Sequence, residues 1–430
     1  MAIQAPKGTK DVTPKESYKW QYIEAQARAI CEAYGFREIR TPVIEHTELF
    51  LRGVGDTTDI VQKEMYTFDD KGGRSITLKP EGTAGAARMF LEHGLFNDAQ
   101  PTKMYYLYCP VFRYDKPQAG RLREHHQFGV EVYGAPRASA DAECILLAMT
   151  MLSRVGVQGL GVHINSIGCP TCRAEYRKAL RTYFEGYKDQ LCETCNSRLE
   201  RNPMRILDCK SPVCGEIAKG APKITDYLCD DCRAHFEKVQ TLLKSINIPF
   251  SIDPGLVRGL DYYTRTVFEF PSKRFGFALG GGGRYDGLVE EVGGKPTPAL
   301  GFGLGLDRIL MAMNEMGADF GNDAKCEVYI ASLGEAAQMK AFQLTEKMHS
   351  CGIAADCDLC ARGLKAQMKY ADKIGAQYSI VLGDDEIANG EAVLKNMKTG
   401  EKKKISLNDD FVDTYITAVT EQEDAMPITF

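Results

Sequence analysis

Arginines beside glycines, two glutamates on short polar faces and a set of paired cysteines are the groups in this chain whose types and spacing suit chemistry. Arg113 ends a stretch of strand composition, Met104 to Arg113, and faces a loop that also carries Lys116, Arg121 and Arg123. A guanidinium grips phosphate oxygens in a bidentate fork and stays charged at any working pH, so this loop is either a phosphate grip or a solvated charged hairpin. Arg308 opens a helix, where the helix dipole disfavours a cation unless an anion docks beside it. Gly301, Gly303 and Gly305 precede it at two-residue spacing; on a strand they would bare one face to a flat base or sugar, or they simply ease a strand-to-helix turn. Arg258 precedes Gly259 and the pair Tyr262-Tyr263, read as a strand, and is either a fixed cation near phenols or one half of a surface ion pair. Glu131 and Gln127 share a strand face about 13 Å apart at Cα, which lets two long side chains hold a small amino acid between them. Glu81, after Pro80, either binds an ammonium group or is a helix-end charge. No G-x-x-x-x-G-K-[ST] loop occurs, so neutralising a nucleotide would fall to Arg113 and Arg308.

The cysteines form a second constellation. Cys169/Cys172, Cys192/Cys195 and Cys229/Cys232 are C-x-x-C pairs, with Cys209 and Cys214 at wider spacing. They could make two tetrathiolate zinc sites or remain reduced structural thiols. Cys357 and Cys360 form an isolated pair, read as ordinary packing thiols.

The elements that must position these groups follow from periodicity. Thr13-Pro14-Lys15-Glu16 has capping-box spacing, and Trp20, Ile23, Ala27, Ile30 and Tyr34 continue as one apolar helical stripe that Gly35 ends. Met104 to Arg113 and His126 to Tyr133 predict an antiparallel hairpin joined by the polar loop Tyr114 to Glu124. In its second strand Phe128, Val130 and Val132 face one way and Gln127, Gly129 and Glu131 the other. Further strands are predicted at Thr264 to Phe270, Phe275 to Gly280 and Ala299 to Gly303, with a helix through Leu306, Ile309, Leu310 and Met313. The run Gly280 to Gly283 marks permissive backbone or a hairpin bend. From about Ser166 to Ile248 the texture changes to charged helices with the clustered cysteines, which predicts an inserted subdomain. Past residue 325 strands at Val328 to Ala331 and Tyr378 to Leu382 alternate with helices from Glu335 and about Leu364, predicting a small separate α/β domain.

Composition bounds the class. The 430 residues are 44% hydrophobic and 26% charged, enough for two or three globular domains. A net charge of -5 and a pI of about 5.9 place any RNA contact on local basic patches. No 20-to-50-residue repeat and no low-complexity stretch is present. The first residues lack a leader pattern and no segment offers about 18 to 20 uninterrupted apolar residues, so a cytoplasmic protein with reduced cysteines and no membrane contact is expected.

Taken in order, these peptides resemble the signature of the histidyl-tRNA synthetases, a class II aminoacyl-tRNA synthetase family. Thr41-Pro42-Val43-Ile44-Glu45 resembles the first class II motif, Phe112-Arg113 through Glu131-Val132-Tyr133-Gly134 the second, and Pro298 to Arg308 the third. Lys79-Pro80-Glu81-Gly82-Thr83, Leu256 to Tyr263, and Gly281 to Leu288 resemble further peptides of the histidine enzymes. Lys79 stands where relatives often have arginine, and it is left out of the site. The resemblance implies an α+β fold: a catalytic domain over 1–325 with a central, mainly antiparallel sheet flanked by helices, interrupted by a helical insertion at 166–248. A small α/β anticodon-binding domain at 326–420 and a tail at 421–430 would follow.

It also implies the activity: L-histidine and ATP give histidyl-adenylate and pyrophosphate, and histidine then passes to the 3′ end of tRNA(His). Glu81, Thr83 and Gln127 would bind the α-amino group, Glu131 and Tyr263 the two imidazole nitrogens, with Gly82 and Tyr262 lining the pocket. Arg113 and Arg258 would hold the α-phosphate as the catalytic cations, Arg308 the γ-phosphate, and Arg121 would contact ATP, which carries Mg²⁺. Homodimerisation is a further implication. The competing readings are a non-catalytic regulatory paralogue, which would have lost the catalytic residues and the anticodon domain, and a plain RNA-binding protein, which would not need the amino-acid pocket.

Overall fold

A computed structural model describes residues 3–55, 58–209, 211–272, 274–321 and 326–424. Its chain divides into two compact units, Met1–Phe320 and Gly321–Phe430. The first is built on β1 (Arg37–Glu38), β2 (Thr102–Phe112), β3 (Glu124–Tyr133), β4 (Val162–Ser166), β5 (Phe250–Ile252), β6 (Thr264–Ser272), β7 (Phe277–Arg284) and β8 (Ala299–Gly305). They lie in the order β1-β2-β3-β8-β7-β6-β4-β5, antiparallel except for the outermost pairs β1-β2 and β4-β5. The hairpin read from the sequence is β2-β3, with a bulge between Tyr106 and Cys109.

Alternation decides which face is which. Phe128, Val130 and Val132 of β3 and Leu300, Phe302 and Leu304 of β8 point into one core, against helices Pro14–Ala33, Ala138–Arg154, Asp230–Ser245 and Leu306–Met316. The residues between them are left on the opposite face, among them Gln127, Gly129, Glu131, Gly301 and Gly303. Ile23, Ala27 and Ile30 are the buried stripe of the first helix, and Gly35 ends it at φ +78°. The capping box is a correction: Thr13 occupies the cap position and Pro14 the first turn, but the Thr13 hydroxyl makes no cap bond, and Glu16 pairs with Lys10 instead. The backbone turn from Thr13 O to the amides of Glu16 and Ser17 closes that end without it.

The glycine run proves to be strand interior, since β7 extends to Arg284 and every residue of Gly280–Gly283 pairs with β8. Tyr262 and Tyr263, read as strand, lie instead in a turn that ends where β6 begins. A smaller sheet, Ile44–His46, Ser75–Leu78 and Tyr66–Asp69, leaves Val43, Ile44 and Phe68 exposed. The cysteine-bearing insertion forms helices Pro170–Glu185, Glu193–Arg201, Pro212–Lys219 and Asp230–Ser245. Its Tyr176, Leu180 and Phe184 share one apolar cluster with Tyr262, Tyr263 and Tyr285.

The second unit has a five-stranded sheet. Val328–Ser332 lies between Ala355–Cys357 and Tyr378–Leu382, all parallel, and Glu391–Asn396 and Lys402–Ser406 extend it antiparallel. Helix Phe411–Asp424 carries the main chain through 421–424, assigned above to a tail; 425–430 lie outside the described residues.

Candidate active site

Glu131 is fully buried on the chemical face of β3. A carboxylate taken out of water costs several kcal/mol unless donors surround it. Here Oε1 accepts from Thr83 Oγ1 at 2.8 Å and Tyr106 Oη at 3.1 Å, and Oε2 accepts a short bond from Tyr285 Oη. Burial nevertheless pushes its carboxyl up to about 8, against the pull of those hydroxyls. At neutral pH the group holds its proton, and an incoming N–H donor that pairs with it favours the charged form.

Glu81 lies beside it. It accepts from the amides of Thr83 at 2.7 Å and Ala84 at 2.8 Å, which closes the N-terminus of helix Thr83–Glu92, and from Tyr262 Oη at 3.4 Å. Burial raises its carboxyl above the ordinary value. Gly82 is required here because a Cβ would sit 2.5 Å from the Tyr106 ring, whose hydroxyl reaches Glu131. Tyr262, Tyr263 and Tyr285 form one aromatic wall, with ring centroids 4.7, 5.4 and 6.3 Å apart.

The floor between the two ends of the site is glycine. Gly129, Gly303 and Gly281 stand in register across β3, β8 and β7, and Gly301 lies opposite both Glu131 and Gly283. Side chains lie over this floor in the space that Cβ atoms would take: a Cβ on Gly129 would be 2.2 Å from Tyr106, one on Gly281 2.8 Å from Arg258 Nη1, and one on Gly283 3.0 Å from Tyr263. At Gly303 the nearest atoms belong to Gln127, at 3.8 Å. At Gly281 and Gly283 the nearest atoms are the strand carbonyls Phe268 O and Thr266 O, each 2.4 Å away, so these glycines make room for the neighbouring strand and for the chain's own Tyr106, Arg258 and Tyr263, and of the four Gly303 leaves its Cβ space open.

Arg258 Nη1 donates to Glu269 Oε1 at 2.5 Å, while its Nε is buried without a partner among the described residues. Arg113 is half-buried, with Nε donating to Pro80 O at 2.9 Å. Arg308 donates from Nη1 to Ala278 O at 2.7 Å and lies 4.6 Å over the Phe277 ring, under Gly120 of the basic loop. Arg121 lies 3.5 Å from Asp115 and 3.7 Å from Glu64. Burial, and then the like charge of Arg121, lower the pKa of both Arg113 and Arg308. Burial, and then Arg113, bring His125 down to about 3. Like charges this close are relieved by any anion that docks beside them.

The structure therefore brings Glu81, Gly82, Thr83, Gln127, Glu131, Tyr262, Tyr263 and Arg258 to one sheet face, and sets Arg113, Arg121 and Arg308 around the β2-β3 loop. Tyr106, Tyr285 and Glu269 were missed. Tyr285 and Tyr106 join Thr83 in holding Glu131; Tyr285 lies in the Gly281–Leu288 peptide, but nothing in its spacing pointed at Glu131. Two neighbours are structural: Lys79 is buried with Nζ 3.3 Å from Thr41 O and Oγ1, and Arg284 binds Asp141. The eight insertion cysteines gather into two groups, Cys169/Cys172/Cys229/Cys232 and Cys192/Cys195/Cys209/Cys214, with all Sγ atoms of a group within 4.8 Å of one another.

Comparison with known proteins places the chain in a family. The family model described as histidyl-tRNA synthetase matches residues 8–170 and 217–309, and the one described as anticodon binding domain matches 327–414. A histidine–tRNA ligase from Clostridium novyi is 55% identical over 408 residues, covering 95% of this chain and 97% of its own, and one from Caldanaerobacter subterraneus is 53% identical over 411, covering 95% and 98%. The apo crystal structure of the Staphylococcus aureus histidyl-tRNA synthetase superposes with a TM-score of 0.81 at 40% identity, covering 96% of this chain and 99% of that one. The chain belongs to the histidyl-tRNA synthetase family.

Proposed function

We propose that this chain is a histidine–tRNA ligase, which joins L-histidine to ATP as histidyl-adenylate with release of pyrophosphate and then passes histidine to the 3′ end of tRNA(His) for translation. The observation that carries the reading is the glycine floor with a buried, hydroxyl-ringed glutamate at one end and crowded arginines at the other. A slot ending in Glu131 suits an imidazole, because a ring N–H can donate to the carboxylate while Tyr263 completes the second nitrogen. Glu81, Thr83 and Gln127 would take the α-ammonium, with Gly82 and Tyr262 lining the pocket; the two helix amides already on Glu81 orient its carboxylate.

ATP enters as its Mg²⁺ complex. Arg113 and Arg258 hold the α-phosphate, Arg308 the γ-phosphate, and Arg121 the same polyphosphate from the loop. The histidine carboxylate attacks the α-phosphorus in line, and pyrophosphate leaves on the opposite side. No protein nucleophile is needed, since the buried Arg258 Nε is aligned by Glu269 to meet charge that grows on the phosphoryl oxygens. The eight insertion cysteines have the donor set of structural Zn²⁺, which would supply a cross-link and no chemistry at the phosphate.

No helix among the described residues is long and apolar enough to cross a membrane, and the proposed place of work is the cytoplasm. The exposed Val43 and Ile44 of the Thr41–Glu45 segment support a homodimer through that face. Histidine-dependent ATP–pyrophosphate exchange tests the reading. The unmodified chain should exchange only with histidine, and Arg258→His should cut the rate by about 10²-fold or more with its far-ultraviolet circular dichroism unchanged. Near-normal exchange in that variant would remove Arg258 from the reaction.

A further inference from the structure

The helices Pro170–Glu185, Glu193–Arg201 and Asp230–Ser245 each begin at a cysteine, Cys169, Cys192 and Cys229, and carry a second one in the first turn, Cys172, Cys195 and Cys232. Cys209 and Cys214 flank the start of Pro212–Lys219. Helix starts favour thiolates, through the dipole and free amides. Such amides are in place: Cys229 N donates to Cys172 Sγ at 3.1 Å, Cys192 N to Cys214 Sγ at 3.3 Å and Ser211 N to Cys209 Sγ at 3.5 Å.

The sulfur spacing discriminates between the uses of four thiols. Cys169 and Cys172 are 3.6 Å apart and Cys192 and Cys209 3.9 Å, too long for the roughly 2.05 Å of a disulfide. A Zn²⁺ ion with four sulfurs at about 2.3 Å spans a tetrahedron with edges of about 3.8 Å. One edge of each group has that length, and the other sulfurs lie within 4.8 Å, close enough for an ion to draw them in.

Each group also borders a residue that grips the loop carrying Arg258. Arg173, next to Cys172, donates from Nη1 to Tyr263 O at 2.9 Å. Arg205, in the turn Pro203–Ile206 between Cys195 and Cys209, donates from Nη1 to Arg258 O at 2.8 Å and from Nη2 to Asp261 Oδ1 at 2.7 Å. The intervening helices of nine and eight residues are too short to be stable alone; Leu199, Met204 and Ile206 pack them into the shared apolar cluster, and a cross-link would fix them further.

We propose that the insertion carries two structural tetrathiolate Zn²⁺ centres, Cys169/Cys172/Cys229/Cys232 and Cys192/Cys195/Cys209/Cys214, and that they fix Arg173 and Arg205 as struts that hold the Arg258–Tyr263 loop in position. The struts are positioning residues, and that half of the proposal rests on the proposed histidine activation. The zinc half does not.

Elemental analysis of the full chain, purified without chelator or added metal, should find two zinc ions per chain. Cys192→Ser/Cys195→Ser and Cys229→Ser/Cys232→Ser should each keep one. Zinc-free protein whose eight insertion thiols all react with a thiol reagent overturns the centres. Should a double variant not fold, Co²⁺ exchanged into the unmodified chain decides: intense tetrahedral thiolate bands support the centres, and their absence overturns them. For the struts, Arg205→Ala should keep both zinc ions and raise the KM for histidine about tenfold, with partial recovery in Arg205→Lys. Cys192→Ser/Cys195→Ser should raise the histidine KM likewise. An unchanged histidine KM in either overturns the coupling. Absence of histidine-dependent exchange in the unmodified chain would overturn the proposed activity and leave the zinc count standing.

Discussion

Glu131 titrates near 8 in the folded chain against an ordinary 4.5, because burial disfavours its charged form. Between those values the folded state keeps a proton that the unfolded state has released, so stability is whole below 4.5 and is lost as pH rises through 8. Glu131→Gln removes that titration. Its unfolding temperature relative to the parent should climb from pH 5 to pH 8, by an amount equivalent to a few kcal/mol at the alkaline end. The same variant should lose at least about tenfold in histidine-dependent exchange, since an amide cannot take up the charge that an imidazole N–H stabilises. A parallel pair of melting curves against pH would contradict the assignment. The face of Glu131 was legible in the sequence, because a two-residue period with Phe128, Val130 and Val132 on one side leaves no choice for the other. Its hydroxyl partners were not, since Thr83, Tyr106 and Tyr285 arrive from three distant segments whose register no local pattern specifies.

The strands carry the next prediction through their glycines. A Cβ on Gly301 would lie 2.1 Å from Val130 O, an atom of the neighbouring backbone that cannot move without breaking the sheet. Gly301→Ala should destabilise the protein by about 1–3 kcal/mol in denaturant unfolding. At Gly303 the new methyl meets only Gln127 at ordinary contact distance. Gly303→Ala should thus melt within about 1 kcal/mol of the parent yet raise the KM for substrate roughly tenfold in the exchange assay, because the methyl occupies the floor. Equal stability for the two variants would show that the floor is looser than the register implies. Sequence reading placed β2, β3 and β8 well, since their apolar alternation is strong. It read Gly280–Gly283 as permissive backbone or a hairpin bend and not as strand interior, because glycine itself has no strand preference and the pairing with β8 supplies it. It misplaced Tyr262-Tyr263, whose aromatic β-propensity is overridden by the grip of Arg173 and Arg205 on the main chain.

In the Gly321–Phe430 unit, Lys365, Lys369 and Lys373 are exposed at four-residue spacing along helix Leu364–Lys373, and so share one face. Reversing all three to glutamate should raise the KM for tRNA in aminoacylation by about tenfold or more, steepen with falling salt, and leave pyrophosphate exchange unaltered. A change in exchange would mean that the helix serves the first reaction as well. The unit was legible from its alternation of strands and helices, whereas the two antiparallel strands Glu391–Asn396 and Lys402–Ser406 were not read at all, their lysines masking the pattern. The protein as a whole carries a formal charge of -5, so the crowding of Arg113, Arg121 and Arg308 is a local exception. Its consequence reaches the bench: inorganic phosphate or sulfate in the buffer relieves that repulsion, and should raise the melting temperature while competing with ATP but not with histidine, so thermal-shift screens run in such salts will under-report nucleotide binding.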